Sequence, residues 1–262
     1  MTATTEQTRG AAGPPIHRIG LGDIQAALAA GWDDFLARPT HLVFLFLVYP
    51  IMGVVLSYAA FDYAMIPLVF PLIAGFALVA PATAVGLYEL SRRREAGEDM
   101  PLAAMPGVLR GPSGAAILTV CAALFVLFAV WLVVAQHIAV TAYGTVTAEG
   151  LLPFLRNVLA TEAGWTMLIV GNLVGFLFAI AALAISVVSL PMLVDGERRA
   201  TTAVLTSLRA LATNPVMMAI WGLVVAAVLA LSMLPAFAGL IITLPWLGHA
   251  TWHLYRRLIP AA

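Results

Sequence analysis

The sequence predicts an all-α polytopic membrane protein with six transmembrane helices in three hairpins, flanked by amphipathic helices at the membrane interface. Composition is the first observation: of 262 residues, 62% are hydrophobic and 10% are charged, whereas soluble domains hold roughly 45–50% apolar and 25% charged residues. The second is a mean hydropathy of +1.00. The third is that uncharged runs recur along the chain, long enough to supply the ~20 helical residues that cross a bilayer.

The N-terminal residues are polar and rich in glycine and proline, and we interpret residues 1–22 as a flexible cytoplasmic tail. This segment lacks the apolar central region of a secretory signal. Residues 23–262 are predicted to form the transmembrane domain. Its spans are expected at about 42–61, 65–88, 114–136, 165–193, 216–234 and 240–257.

Breaks in the apolar pattern separate neighbouring spans. The polar segment around Asp62 divides the first span from the second. Pro71 and Pro81 lie inside the second span, where a missing N–H is expected to kink the helix. Residues 235–239 begin with a proline and end with a glycine, and they divide an uncharged run that is too long for one span.

The positions of the arginines predict the orientation. In a six-span arrangement Arg156 lies on one side and the other arginines lie on the opposite side, so the positive-inside rule places both termini in the cytoplasm. Residues 151–160 could lie flat at the outer surface. Several inner-surface arginines are candidates for contacting anionic lipid headgroups, namely Arg92, Arg93, Arg94, Arg256 and Arg257.

The first and last hairpins resemble each other, and the middle hairpin resembles both more weakly. An amphipathic segment precedes each outer hairpin, and its apolar residues have helical spacing: Leu28, Trp32 and Phe35 in one, and Val204, Leu208 and Leu211 in the other. Trp32, Trp246, Trp252 and Tyr255 are predicted anchors in the interfacial aromatic belt. The similarity is explained equally by a threefold repeat and by shared interfacial chemistry.

Three motifs carry a family resemblance: GWDDFLARP at 31–39, LYELSRRREAGED at 87–99 and LPWLGHATWHLYRRL at 244–258. On these motifs the chain resembles DUF2189, a bacterial family of predicted integral membrane proteins, over about residues 16–258. The resemblance implies a six-helix protein of the bacterial inner membrane. It implies no particular reaction.

The sharpest candidate for chemistry is a histidine pair in the sixth span. His249 and His253 are four residues apart, so a helix presents both imidazoles on one face, as in many metal sites. Glu89 and His41 are predicted at the same depth, and the four residues form a candidate metal or proton-handling site. The alternative is that these side chains belong to the polar headgroup belt. A haem ligated by two histidines is a further alternative.

The fourth span contains a second distinctive pattern. Gly171, Asn172 and Gly175 form a small-residue motif with an amide, which is typical of close helix packing and could mark a dimerisation surface. None of the six predicted spans holds a charged residue in its hydrocarbon region, which disfavours a proton-driven pump.

The sequence indicates no enzyme and no catalytic residue, because it lacks a nucleophile elbow, an HExxH helix and a phosphate-binding glycine loop. A formal charge of zero excludes a basic nucleic-acid surface. We therefore expect a non-catalytic accessory, assembly or scaffold protein without a cofactor. Its expected partners are the lipid bilayer and either another membrane complex or a second copy. A small-molecule permease, using a cavity between the second, fourth and sixth spans, and a metal or haem protein linked to respiration are the alternatives.

Overall fold

The computed structural model describes residues 14–40, 43–44, 49, 66–143, 151–235 and 237–260. Throughout these ranges the regular structure is helical, with no strand. The helices are α1 Leu21–Ala37, α2 Ile66–Thr83, α3 Val85–Glu95, α4 Ala104–Gly107, α5 Gly114–Tyr143, α6 Leu151–Ala160, α7 Glu162–Ser186, α8 Ser189–Val194, α9 Ala200–Thr213, α10 Pro215–Met233 and α11 Leu240–Leu258.

Among the described residues, four helical segments are long and apolar enough to cross a membrane. They are 68–95, formed by α2 and α3, 114–143, formed by α5, 162–194, formed by α7 and α8, and 215–233, formed by α10. These segments coincide with the second to fifth predicted spans, because each is an apolar run bounded by turn residues. The chain is therefore an all-helical membrane protein with four candidate membrane-spanning segments.

The other two predicted spans are not established. The first, at about 42–61, falls mostly outside the described residues, since only 43–44 and 49 are described there. The sixth is present as helix α11 but is not among the four segments. Its second half carries His249, His253, Arg256 and Arg257, which lower its hydropathy. Six spans in three hairpins stay a prediction.

The second predicted span is interrupted where its prolines led us to expect a kink. Helix α2 ends at Thr83, two residues after Pro81, and α3 begins at Val85. The Thr83 hydroxyl donates to the carbonyl of Ala80 at 2.7 Å. At the other proline, the indole N–H of Trp131 donates to the carbonyl of Pro71 at 3.0 Å. Neighbouring groups thus supply bonds to the backbone of a proline-containing membrane helix.

Helix α11 lies between α1 and α3, with a glycine at each contact. A Cβ at Gly31 of α1 would lie 2.4 Å from the backbone nitrogen of Ala250, and a Cβ at Gly248 would lie 2.4 Å from Cδ1 of Leu87. These two glycines therefore allow α11 to approach both neighbours closely. The indole N–H of Trp246 also donates to the carbonyl of Leu28 at 2.9 Å, which ties α11 to α1.

The two amphipathic helices bury small residues against the bundle. In α1, Ala27 and Gly31 are buried, and Trp32, a predicted interfacial anchor, is exposed. In α9, Ala203 and Ala210 are buried, whereas Leu208 is exposed. Small side chains bring the backbones of packed helices together, and large apolar ones then remain on the outer face. Of the predicted set, Phe35 is buried in the core.

The segment before α1 is attached to the bundle. The backbone N–H of His17 donates to the carbonyl of Leu258 at 2.9 Å, and Ile19 donates to Oδ1 of Asn214 at 2.9 Å. Nδ2 of Asn214 donates back to the carbonyl of His17 at 3.0 Å. Residues 17–19, which we assigned to the tail, are therefore bonded to the ends of α9 and α11.

The long helices α5 and α7 leave much of their apolar surface uncovered. Large exposed side chains include Phe125, Val126 and Val133 on α5, and Leu173, Phe176 and Leu177 on α7. Because water would penalise such a surface, these faces contact the lipid bilayer. The fully buried side chains concentrate elsewhere, in α3, α8 and α11.

Candidate functional site

An acidic side chain lies on the buried face of α1. The buried positions of this helix are Ile24, Ala27, Gly31, Asp34 and Phe35, which are spaced as one helical face. Asp34 is 3% exposed. A buried carboxylate needs compensating charge and hydrogen bonds.

Four residues from two other helices supply that compensation: Ser91, Arg94, His249 and His253. Together with Asp34 they form what we call the Asp34 cluster. Oδ2 of Asp34 accepts from the Ser91 hydroxyl at 2.5 Å and from Nε2 of His253 at 2.8 Å. Its Oδ1 accepts from the guanidinium of Arg94 at 2.6 Å. One carboxylate thereby connects α1 with α3 and α11.

The hydrogen bonds of the cluster define the tautomer of His249. The single proton of the Ser91 hydroxyl is donated to Asp34, so Ser91 accepts in its 2.8 Å bond with Nδ1 of His249. A neutral His249 therefore carries its proton on Nδ1. Its Nε2 is then a bare acceptor, and this atom is buried without a hydrogen-bond partner.

Opposing effects act on the charge of Asp34. Burial alone would raise its pKa, but the hydrogen bonds from His253 and Ser91, together with the nearby histidines, hold the pKa below its ordinary value. Asp34 is consequently an ionised acceptor at neutral pH. This is the state that three donors around one carboxylate require.

The structure brings together two of the four predicted metal ligands. Nδ1 of His249 lies 3.9 Å from Oδ2 of Asp34, the same oxygen that His253 contacts. Glu89 is instead bonded to the guanidinium groups of Arg92 and Arg93, at 2.9 and 2.7 Å.

The remaining predicted ligand, His41, lies outside the described residues. Within the described part of the chain, no group of three or more His, Cys, Asp or Glu side chains is placed to hold a metal ion. Metal binding at His249 and His253 stays a prediction.

Asp34 is the site residue that sequence reasoning missed. The signal was present, because Asp34 lies seven residues after Ala27 and three after Gly31, on the face that carries the small residues. We considered only the apolar spacing of this segment, at Leu28, Trp32 and Phe35, and not its acidic residues.

The predicted headgroup arginines all have acidic partners within the chain. The pairs are Arg92 with Glu89, Arg93 with Glu89 and Glu98, Arg94 with Asp34, Arg256 with Glu95 and Asp195, and Arg257 with Asp23. Their charge is therefore largely balanced at this surface, and headgroup binding by these residues stays a prediction.

The predicted aromatic anchors occupy two environments. Trp32 is exposed and packs edge to face against Trp246, with ring centroids 5.7 Å apart. Trp252 and Tyr255 are buried: the Trp252 indole donates to Glu95 at 3.0 Å, and the Tyr255 hydroxyl donates to Asp195 at 2.7 Å. The second pair therefore contacts protein, and the exposed ring of Trp32 is available to lipid.

The three residues of the predicted packing motif of α7 have different surroundings. Gly175 lies against α5, where a Cβ would come within 3.1 Å of the Trp131 ring. Gly171 faces open space, and Asn172 is exposed. The amide of Asn172 donates to the carbonyl of Leu168 in its own helix, at 2.7 Å.

A cavity of about 90 Å³ lies between α2, α3, α7, α10 and α11, where the sequence predicted one between spans. Its walls are mainly apolar and include Ala80, Pro81, Leu183, Trp221 and Leu244.

Four hydroxyl-bearing residues also line the cavity, namely Thr83, Tyr88, Ser186 and Thr251. Thr83, Ser186 and Thr251 each donate the hydroxyl proton to a carbonyl of their own helix. The cavity therefore suits an apolar group and not a polar solute.

Comparison with known proteins gives one match. No curated protein matches the chain, and no solved structure matches it. A family model matches residues 69–195, and two of the motifs that carried the resemblance, 31–39 and 244–258, lie outside this range. Residues 69–195 match the family model of DUF2189, described as a predicted integral membrane protein, so over this range the chain resembles that family as its sequence predicted.

Proposed function

We propose that this protein is a non-catalytic accessory or assembly component of a bacterial inner-membrane complex, with both termini in the cytoplasm. The observation that carries the proposal is the Asp34 cluster. The Ser91 hydroxyl, the Arg94 guanidinium and the His253 imidazole each donate to the Asp34 carboxylate, so the cluster joins α1, α3 and α11. These bonds hold the three helices together, which is a structural role for groups that take part in catalysis in many enzymes.

Burial of the cluster supports this proposal against a catalytic role. Ser91 is fully buried and gives its proton to a carboxylate, so its hydroxyl is not presented to a substrate. A nucleophilic serine would instead give its proton to a base and face an open cleft. His249 is fully buried as well.

The fastened helix α1 has an apolar outer face. Leu21, Trp32 and Leu36 are exposed on it, and Leu205 and Leu208 are exposed on α9. These helices present apolar side chains that the chain itself does not cover, which is typical of surfaces that bind lipid or a partner protein. The Asp34 cluster would keep α1 at a fixed angle, so that a partner meets a rigid surface.

Affinity purification from native membranes in mild detergent tests the proposal. The wild-type chain is compared with Asp34→Asn, and with Asp33→Asn as the matched control, because Asp33 is the exposed neighbour on the same helix. We expect a membrane protein recovered in stoichiometric amount with wild type and with Asp33→Asn, and at least fivefold less with Asp34→Asn. Equal recovery with both variants would contradict the role of the cluster. Solute transport or turnover by the purified chain would contradict the whole proposal.

The cavity favours a second candidate, a carrier or receptor for an apolar molecule. Its volume of about 90 Å³ is enough for a few methylene groups, and the hydroxyls of Thr83, Ser186 and Thr251 are already bonded to helix carbonyls. Filling it with Ala80→Leu would displace a copurified lipid or apolar ligand measured by mass spectrometry. Leu173→Ala, on the exposed face of α7, is the control. An unchanged lipid content in Ala80→Leu would exclude this candidate.

A further inference from the structure

Asn172 is a polar side chain on a surface that faces lipid. It lies in the membrane-spanning segment 162–194 and is exposed. At 1.5 Å per residue, Asn172 is about 15 Å along the helix from Glu162, within a hydrocarbon layer ~30 Å thick. Its neighbours on the helix surface, Leu173 and Phe176, are each more than 60% exposed. The amide therefore faces the hydrocarbon.

The amide keeps hydrogen-bonding capacity that the chain does not use. A carboxamide has two N–H donors and two acceptor lone pairs. In the described part of the chain, Asn172 makes one such bond, from Nδ2 to the carbonyl of Leu168. One N–H and both lone pairs of Oδ1 therefore remain without a hydrogen-bond partner among the described residues. Leaving such groups in hydrocarbon costs several kcal/mol, so a polar partner on this face would be strongly favoured.

Another exposed polar residue of the spans has no such unused donor. Thr119 on α5 has one hydroxyl proton, which it donates to the carbonyl of Ala115 at 2.8 Å. A hydroxyl bonded in this way is tolerated on a lipid-facing helix. Asn172 differs because a donor and an acceptor are both left over on the same side chain.

The backbone beside Asn172 is open to close approach. A Cβ placed at Gly171 would meet no atom within 4 Å, so nothing in the described part of the chain fills the space that this glycine leaves. Ala179 continues the same face two turns further on and is exposed. Small residues next to an exposed amide are the combination that lets two membrane helices come close enough for an interhelical hydrogen bond.

We propose that the face of α7 around Gly171 and Asn172 is a homodimer interface, in which the two Asn172 amides bond across a twofold axis. An amide carries both donor and acceptor, so Nδ2 of each copy can donate to Oδ1 of the other without any additional residue type. A twofold interface requires such self-complementarity. Acyl chains at this depth offer neither a donor nor an acceptor. The proposal does not depend on the scaffold function or on the Asp34 cluster.

Disulfide cross-linking in native membranes tests this interface. The natural Cys121 is first replaced, in a Cys121→Ala background, and Ala179→Cys is introduced on the proposed face. The control is Val133→Cys on the exposed face of α5, which also faces lipid. After oxidation with copper phenanthroline, we expect a band of twice the monomer mass for Ala179→Cys, at least fivefold stronger than for Val133→Cys. Equal weak cross-linking of the two, or a product of another mass, would overturn the proposal.

The role of the amide is tested by adding Asn172→Leu to the Ala179→Cys chain. We expect the dimer band to fall at least fivefold, whereas Asn172→Gln, which restores a donor and an acceptor, keeps a substantial part of it. Helical content and melting temperature of Asn172→Leu are measured alongside, and both are expected to match wild type because the side chain is exposed. Full cross-linking in Asn172→Leu would show that the amide does not hold the interface.

Discussion

Polar side chains have different partners in the Asp34 cluster and in the middle of the membrane-spanning segments. In the Asp34 cluster, a carboxylate is surrounded by three donors from two other helices. In the middle of α7, the amide of Asn172 has one bond, to its own helix. The comparison teaches that the Asp34 carboxylate finds its hydrogen-bond donors within one chain, whereas the Asn172 amide keeps a donor and an acceptor for the second copy that we propose.

The largest expected effect comes from removing the carboxylate. Asp34→Leu leaves the Arg94, Ser91 and His253 donors without their acceptor, and breaking a buried charged network of this kind costs about 3–5 kcal/mol. Unfolding in mild detergent, followed by circular dichroism, measures the loss. Asp33→Leu changes an exposed acid on the same helix and is expected within about 0.5 kcal/mol of wild type. Comparable losses from the two substitutions would refute the special position of Asp34.

A glycine substitution tests the contact that brings the cluster together. Gly31→Ala would place a methyl group 2.4 Å from the backbone of Ala250, so α1 must move away, at a cost of about 1–3 kcal/mol. Gly22→Ala in the first turn of α1 meets no atom within 4 Å and serves as the control. Thermal unfolding of both variants gives the comparison. If Gly31→Ala were as stable as Gly22→Ala, α1 and α11 could not be packed as described.

The proton on Nδ1 of His249 predicts that two substitutions of this residue lower the stability by different amounts. Asn carries an N–H near the position of Nδ1, so His249→Asn is expected to keep the bond to Ser91 and to lose less stability than His249→Leu, by about 1 kcal/mol. The difference is measured by chemical unfolding of the two variants. Metal content of wild type, determined on the same preparations, tests the separate prediction of a metal site. Identical stability of the two variants would argue that Nδ1 does not donate.

Acid is expected to weaken the Asp34 cluster only at a pH below the ordinary pKa of an aspartate side chain. The pKa of Asp34 is lowered in the folded state, so its stabilising effect is complete above its unfolded value of about 3.9 and is lost as pH falls through the lower folded value. The stability difference between wild type and Asp34→Asn should therefore be constant from pH 5 to 7 and shrink below about pH 4. A difference that already falls between pH 7 and 5 would assign the transition to a histidine instead.

The smallest effect on stability is expected from substituting Asn172, the polar residue in the middle of α7. Asn172→Leu is predicted to change the stability of the monomer by no more than about 0.5 kcal/mol, because the side chain contacts only its own helix. Unfolding is measured in detergent at a dilution where the chain is monomeric. A loss approaching that of Asp34→Leu would mean that both polar groups serve the fold of one chain, and the contrast between the two regions would disappear.

The sequence predicted the spans better than it predicted how they pack. Charge-free runs of about 20 residues specify a membrane helix with little help from the rest of the chain, which is why 68–95 and 114–143 were predicted correctly. The buried face of α1 depends on which residues of α11 meet it. Large apolar residues such as Trp32 signal the face that meets lipid as strongly as one that meets protein, whereas Gly31 marks the close contact.

The candidate site was predicted in part for a similar reason. His249 and His253 share a helix, so their proximity follows from spacing alone. Their carboxylate partner comes from a segment more than 200 residues away in sequence, and local patterns do not reveal such a contact. Glu89 was predicted in place of Asp34 because it matched in depth, but Arg92 and Arg93, three and four residues further on, are its partners.

A double-mutant cycle between Asp34→Asn and His253→Gln is the most direct test of the claim that one carboxylate fastens α1 to α11. Each single variant and the double variant are unfolded in the same detergent, and the coupling energy is the departure from additivity. The contact of 2.8 Å predicts a coupling of about 1–3 kcal/mol. Additive losses, with a coupling near zero, would contradict the account, because the two side chains would then contribute independently.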